Sequence, residues 1–195
     1  MTTHKGLIRF SSRDTVQGVP YVKEGINLCM LPNGLRCMGC CGFDFAKNLS
    51  DDAKESFIIA LQKSTKELAR FQDRLSFKKR VDPEDLHDCG MCKQLVMEET
   101  QDIKQLLKKK HLKTYCPLHP LQNDGKELRK GECDPSFMCE TQKAWHTFFD
   151  DTMKELFYEF ITEKDLDWFT YSRNMHNSSL LKEFYKEYEM GNVYF

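Results

Sequence analysis

Residues 141–161 read TQKAWHTFFDDTMKELFYEFI, and Trp145, Phe148, Phe149, Met153, Leu156, Phe157, Phe160 and Ile161 recur in them at helical spacing. The spacing predicts a helix with one apolar stripe. It is the most regular pattern in the chain and sets the fold class as mainly α. Aromatic residues at this spacing read as core rather than as a cofactor box. Beyond it, Leu181, Phe184, Tyr185 and Tyr188 predict a last helix over about 178–189, with Asn177 or Ser178 as its cap.

Working back toward the N-terminus, Phe57, Ile58, Leu61, Leu68, Phe71 and Leu75 predict an amphipathic helix over about 51–76. Ser50 is placed to cap it, and Asp51 and Asp52 complement its dipole. Asp82-Pro83-Glu84-Asp85 is a second start signal, with Val81 and Leu86 positioned as a hydrophobic staple. A further helix is expected over about 93–110, ending on Lys108, Lys109, Lys110 and His111. Glycine and proline make residues 1–49 irregular, and residues 112–138 read as one long loop. A compact domain accommodates such a loop poorly unless something pins it.

The chain has 195 residues, a size that fits a single domain over 1–195. Two layers are expected within it: a cysteine-rich one over about 29–139 and an aromatic helical one over about 140–195. Lys+Arg 29 against Asp+Glu 30 leaves a net charge of -1, which removes any global attraction to nucleic acid or anionic membranes. No apolar run reaches the roughly 20 residues of a membrane span, and no secretory h-region opens the sequence. These features point to a cytoplasmic protein with no membrane association. Thiols in that compartment are kept reduced, and nine cysteines cannot all pair within one chain.

The cysteines run Cys29-x7-Cys37-x2-Cys40-Cys41, then Cys89-x2-Cys92, then Cys116-Pro117-Leu118-His119, then Cys133-x5-Cys139. A C-x2-C turn lets two sulfurs reach one metal, and Gly39 and Gly90 lie inside these two turns, where conformational freedom helps. Cys37, Cys40, Cys89 and Cys92 are therefore candidates for one tetrahedral site. Neighbouring Cys40 and Cys41 do not readily serve one ion, so the doublet suggests a multinuclear centre. Cys116, His119, Cys133 and Cys139 form a second candidate set, whose metal would pin the long loop. Cys29 reads equally well as apolar filler. His87 reads as an exposed polar residue, and His176 has no spacing partner. The expected architecture is thus a set of helices packed around a cysteine-rich, metal-pinned loop region.

Two stretches resemble the YkgJ-type zinc- or iron-chelating cysteine-cluster family. One is Arg36-Cys37-Met38-Gly39-Cys40-Cys41-Gly42, similar to a cluster ending in a Cys-Cys doublet. The other runs from Cys116-Pro117 through Gly131-Glu132-Cys133 to Cys139. The resemblance covers about a quarter of the chain and implies metal or cluster binding without implying a reaction. A second likeness, to CCG domains of heterodisulfide-reductase type, rests on Cys40-Cys41-Gly42 and a later C-x2-C.

The expected function is therefore a metal-binding protein holding zinc or, alternatively, an iron–sulfur cluster. A second reading is an iron–sulfur redox enzyme or electron carrier. A third is a zinc-stabilised module that binds a protein partner or nucleic acid, prompted by the basic runs Lys63 to Arg80 and Lys104 to Lys113. Acidic residues interleave with the first run and no aromatic stacking platform accompanies either, which disfavours nucleic acid. No phosphate-binding glycine loop, H-E-x-x-H or G-x-S-x-G element is present, so the sequence names no reaction.

Overall fold

Four helices in this chain begin where a short acidic side chain receives their unpaired N–H groups. In the computed structural model, which describes residues 26–41, 51–82, 85–99 and 101–189, the helices are α1 (Asp51–Leu68), α2 (Arg74–Lys78), α3 (Ile103–Lys108), α4 (Glu140–Thr147), α5 (Asp151–Glu163), α6 (Trp168–His176) and α7 (Ser179–Glu187). Asp73, Asp102, Asp150 and Asp167 each accept a main-chain N–H at the start of α2, α3, α5 and α6. β1 (Val96–Met97) and β2 (Thr114–Tyr115) pair antiparallel, Val96 opposite Tyr115 and Met97 opposite Thr114. The class is mainly helical, as the aromatic stretch predicts.

Several boundaries differ from expectation, and capping explains most of them. The helix expected over 51–76 stops at Leu68, and Asp73 starts a new one by accepting the Ser76 N–H at 2.8 Å. Over 93–110 only Ile103–Lys108 is helical, because Val96 and Met97 are fully buried in the ribbon with β2 and Asp102 caps the helix late. The stretch 141–161 is two helices, broken where Asp150 accepts the Met153 N–H at 2.8 Å. α7 matches its expected place, and Asn177 supplies the side-chain oxygen that receives the Ser179 N–H. Ser50, Pro83, Glu84, the side chains of Asp51 and Asp52, and residues 1–25 and 42–49 lie outside the described residues.

The stripe is core. Phe157 is fully buried, with Phe184 at 4.9 Å edge-on, Phe149 at 5.4 Å and Trp145 at 6.2 Å between ring centroids. Burying one such side chain contributes about 1.5–3 kcal/mol. One apolar cluster runs from Leu28 through α1 to Tyr185. No helix among the described residues is long and apolar enough to cross a membrane.

The element that organises the cysteines is α6, which the sequence reading did not anticipate. Trp168 and Tyr171 are completely buried. Asp167, its cap, pairs with Lys54 of α1 at 2.5 Å, and the Trp168 N–H donates to the Lys110 carbonyl at 2.9 Å. These contacts fix α6 against α1 on one side. Its other face carries Ser172 and His176 to the 3-10 turn Gly39–Cys41.

Candidate cysteine centre

Four loops and one helix end deliver the sulfurs. Residues 26–41 double back on themselves, with the Cys37 N–H donating to the Cys29 carbonyl at 3.0 Å and Leu31 bonding Leu35. This loop is tied to α6 twice. The Tyr171 hydroxyl donates to the Leu28 carbonyl at 2.7 Å, and the Met38 N–H donates to Ser172 Oγ at 3.0 Å. Gly39 is required by space rather than by φ: a Cβ there would lie 2.8 Å from the Ser172 carbonyl and 2.9 Å from the His176 Cβ. Gly90 does use glycine's freedom, at φ +80°.

Cys139 arrives from the far side. It is the cap residue of α4, and the N–H groups of Gln142 and Thr141 face its sulfur. Thr141 Oγ1 donates to the Met175 carbonyl at 3.0 Å, which joins the start of α4 to the end of α6. Cys29 and Cys37 feel the charges of both Cys40 and Cys139. Burial first, then the charges of Cys40 and Cys139, pushes the Cys29 thiol up to about 12. Cys37 is raised by burial and then by Cys29 and Cys40, with Cys139 also contributing. The buried Tyr171 phenol faces Cys37, Cys29 and Cys139 as well.

The remaining sulfurs come from the turn at 89–92, the residue after β2 and the long loop. The Cys92 N–H donates to the Cys41 carbonyl at 2.7 Å. Cys116 follows β2 directly, and the His119 N–H returns to its carbonyl at 3.0 Å. Cys133 closes a turn onto the Arg129 carbonyl at 3.3 Å. The charges of Cys92 and Cys116 bear on Cys41, and those of Cys92 and Cys133 bear on Cys116. Burial, ahead of these, pushes Cys116 up to about 12. Within the doublet the Cys41 thiol donates to Cys40, and with Arg129 nearby Cys40 falls to about 7 against the opposing effect of burial.

The long loop is held by more than its cysteines. Lys78 Nζ donates to the carbonyls of Leu128 and Lys130, and Gln94 Nε2 donates to Glu132 at 2.8 Å. Arg80 is committed to the interior: it bonds Glu67, Gln94 and the carbonyls of Phe77 and Lys93, and its guanidinium lies 3.6 Å over the Phe77 ring. Two members of the first basic run are therefore structural.

The charge of Cys40 bears on Cys29 and Cys37 and also on Cys133, and those of Cys92 and Cys116 bear on Cys41. Cys89 is set apart: burial raises its thiol, Asp88 is the charged group beside it, and no other cysteine bears on it among the described residues. His119 Nδ1 receives the Leu121 N–H at 3.2 Å, and its ring faces Arg129 and Glu127. His87, expected to be exposed, is buried and bonds Ser64 Oγ at 2.8 Å.

Two residues of this region escaped the sequence reading. Cys29 had no C-x2-C partner, and only the fold back to Cys37 reveals its place. His176 comes from the far end of α6, and its buried Nδ1 has no hydrogen-bond partner among the described residues. No spacing rule could have found it.

All nine cysteines are free thiols. Their sulfurs match the soft donors preferred by zinc and by iron–sulfur clusters. The match is one of donor chemistry and neighbourhood. Among the described residues, no three His, Cys, Asp or Glu side chains stand close enough to close a coordination sphere. Compared with family models, with curated proteins and with solved structures, the chain matches none.

Proposed function

We propose that the chain is a metal-binding protein with two four-sulfur centres, one drawn from Cys29, Cys37, Cys40 and Cys139 and the other from Cys41, Cys92, Cys116 and Cys133. One observation carries the reading: cysteines far apart in sequence share adjoining backbone, the Cys37 N–H donating to the Cys29 carbonyl at 3.0 Å and the Cys92 N–H to the Cys41 carbonyl at 2.7 Å. Apolar filler would sit on helix faces, whereas none of the nine cysteines lies within an α-helix of the described residues. A bound metal would hold these sulfurs as thiolates and offset their mutual repulsion. The resemblance of Arg36–Gly42 and Cys116–Cys139 to a metal-chelating family supports the same reading.

Zinc is the first choice, since four thiolates per ion is its usual structural set. An iron–sulfur cluster is the alternative and would open the route to electron transfer. Protein purified without oxygen and analysed for metal should carry close to two zinc equivalents and remain colourless. Brown protein containing iron and sulfide would favour the cluster. Folded protein that neither carries nor takes up metal would overturn the proposal. Chelation should also open 29–41 and 112–139 to protease before α5 is cut.

A further inference from the structure

We infer that Cys29 and Cys37 are a reversible disulfide site, a redox clasp across the hairpin that carries them. The inference goes beyond the metal reading and does not depend on it.

The local sequence builds the hairpin. Leu31-Pro32-Asn33-Gly34 is a turn closed by the Gly34 N–H on the Leu31 carbonyl at 3.0 Å, and Gly34 has φ +86°. Proline suits the second place of such a turn, and glycine suits the left-handed residue that completes a three-residue hairpin loop. The Leu31 N–H then donates to the Leu35 carbonyl at 2.9 Å, and Met30 bridges Arg36 in antiparallel fashion. One step further out, the Cys37 N–H donates to the Cys29 carbonyl at 3.0 Å. A single register relates these pairs and sets Cys29 opposite Cys37. Opposed hydrogen-bonded residues of an antiparallel pair have Cα atoms about 5.5 Å apart. Disulfides span Cα separations of roughly 4.4–6.8 Å, so the backbone is already within range.

Both residues are also tied to α6. Cys37 Sγ receives the Gly39 N–H at 3.4 Å, beside the Ser172 carbonyl and His176. Cys29 follows Leu28, whose carbonyl receives the Tyr171 hydroxyl at 2.7 Å. The Tyr171 phenol feels the charges of both cysteines. Neither cysteine is fully buried, so a small oxidant has access to the pair.

The oxidant is a low-molecular-weight disulfide, such as glutathione disulfide. One cysteine sulfur gives up its proton and attacks a sulfur of the oxidant; that S–S bond breaks, and one small thiol leaves with a proton. The second cysteine sulfur then attacks the mixed disulfide. The Cys29–Cys37 bond forms, and the second small thiol leaves with the second proton. The two cysteines lose two electrons and two protons, and the oxidant gains them. Burial holds both sulfurs as thiols, and only a thiolate attacks, so the exchange is slow and its endpoint is the quantity to measure. A closed clasp fixes both strands of the hairpin and withdraws both sulfurs from metal.

Reduced full-length protein, held with a chelator so that metal does not compete, should be exchanged against glutathione disulfide until no further change occurs. Remaining thiols are then alkylated and the chain is cut with trypsin. Cleavage after Arg36 puts Cys29 and Cys37 on different peptides, and fragmentation between Met38 and Gly39 separates a link to Cys37 from one to Cys40 or Cys41. The same exchange in denaturant supplies the reference. There the loops from Cys29 to Cys37, Cys40 and Cys41 are of similar length, and their closure favours the shortest by only about twofold. In the folded protein the Cys29–Cys37 link should exceed the other two by well over that factor and should vanish on reduction with dithiothreitol. A native ratio no higher than the denatured one overturns the inference, as does native protein whose Cys29 stays unlinked to any cysteine.

Discussion

The hydroxyl of Tyr171 donates to the carbonyl of Leu28 across 2.7 Å, and both residues are completely buried. This bond fastens the start of the Cys29–Cys41 loop to the middle of α6. Tyr171→Phe keeps the ring and removes the donor, leaving a buried carbonyl unpaired, so it should cost about 1–3 kcal/mol. A denaturant titration of metal-free protein should show the loss, and limited proteolysis should cut 28–41 earlier. An unchanged midpoint and unchanged cleavage would mean that the loop is held by its other contacts.

Gly39→Ala tests the close approach of the turn to α6. The new methyl group would meet the Ser172 carbonyl at 2.8 Å, and backbone yields less readily than a flexible side chain. The turn must move, at about 1–3 kcal/mol. Gly125→Ala provides the contrast, since that glycine has open space about it and only its φ of +82° opposes a side chain. The expected outcome is reduced metal capacity for Gly39→Ala and full capacity for Gly125→Ala, measured as zinc per chain.

How much of this was legible in the sequence depends on the range of the interaction. The aromatic stripe of α4 and α5 could be read directly, because helical spacing is local and the burial of Trp145, Phe149, Phe157 and Phe160 follows from it. The break at Asp150 was also written there, in a residue type that caps helices, but the continuous apolar pattern outweighed it. The β1–β2 pairing could not be read, since two residues per strand carry no period and Val96 finds Tyr115 only across α3. The grouping of sulfurs lay furthest from view. Spacing relates Cys89 to Cys92, whereas the fold also bonds the Cys92 N–H to the Cys41 carbonyl and ties the loop that carries Cys37 to α6, whose Ser172 lies 134 residues from Met38.

Acid stability should report on Asp167. Partial burial opposes its ionisation, yet the Lys54 ammonium at 2.5 Å and the Thr170 N–H at 2.7 Å outweigh that and hold its carboxyl below the ordinary carboxylate value of 3.8. A carboxylate depressed in the folded state contributes stability that is complete above its unfolded pKa and is lost as pH falls through the lower folded value. Asp167→Asn keeps a good capping oxygen and removes the charge, so it should cost about 0.2–1 kcal/mol near pH 7. The gap between wild type and variant should close below about pH 4. A gap that persists at pH 2 would assign the loss to packing instead.

The two cysteines of the 89–92 turn should part company. Cys92 shares its surroundings with Cys41, Cys116 and Cys133, and its N–H holds the Cys41 carbonyl. Cys89 packs against the core with Asp88 as its charged neighbour. Serine keeps nearly the size of cysteine and is a poor ligand for zinc or iron, so it separates the role of donor from that of filler. Cys92→Ser should lose about one metal equivalent of the two, while Cys89→Ser should retain both and lose only packing. His111→Ala, at a residue that lies against Gly34 rather than in either sulfur group, should also leave the metal in place. Metal analysis of the purified variants, with circular dichroism to confirm that each is folded, checks all three. Equal metal loss from Cys89→Ser and Cys92→Ser would restore the C-x2-C turn as a ligand pair and dissolve the second group as drawn.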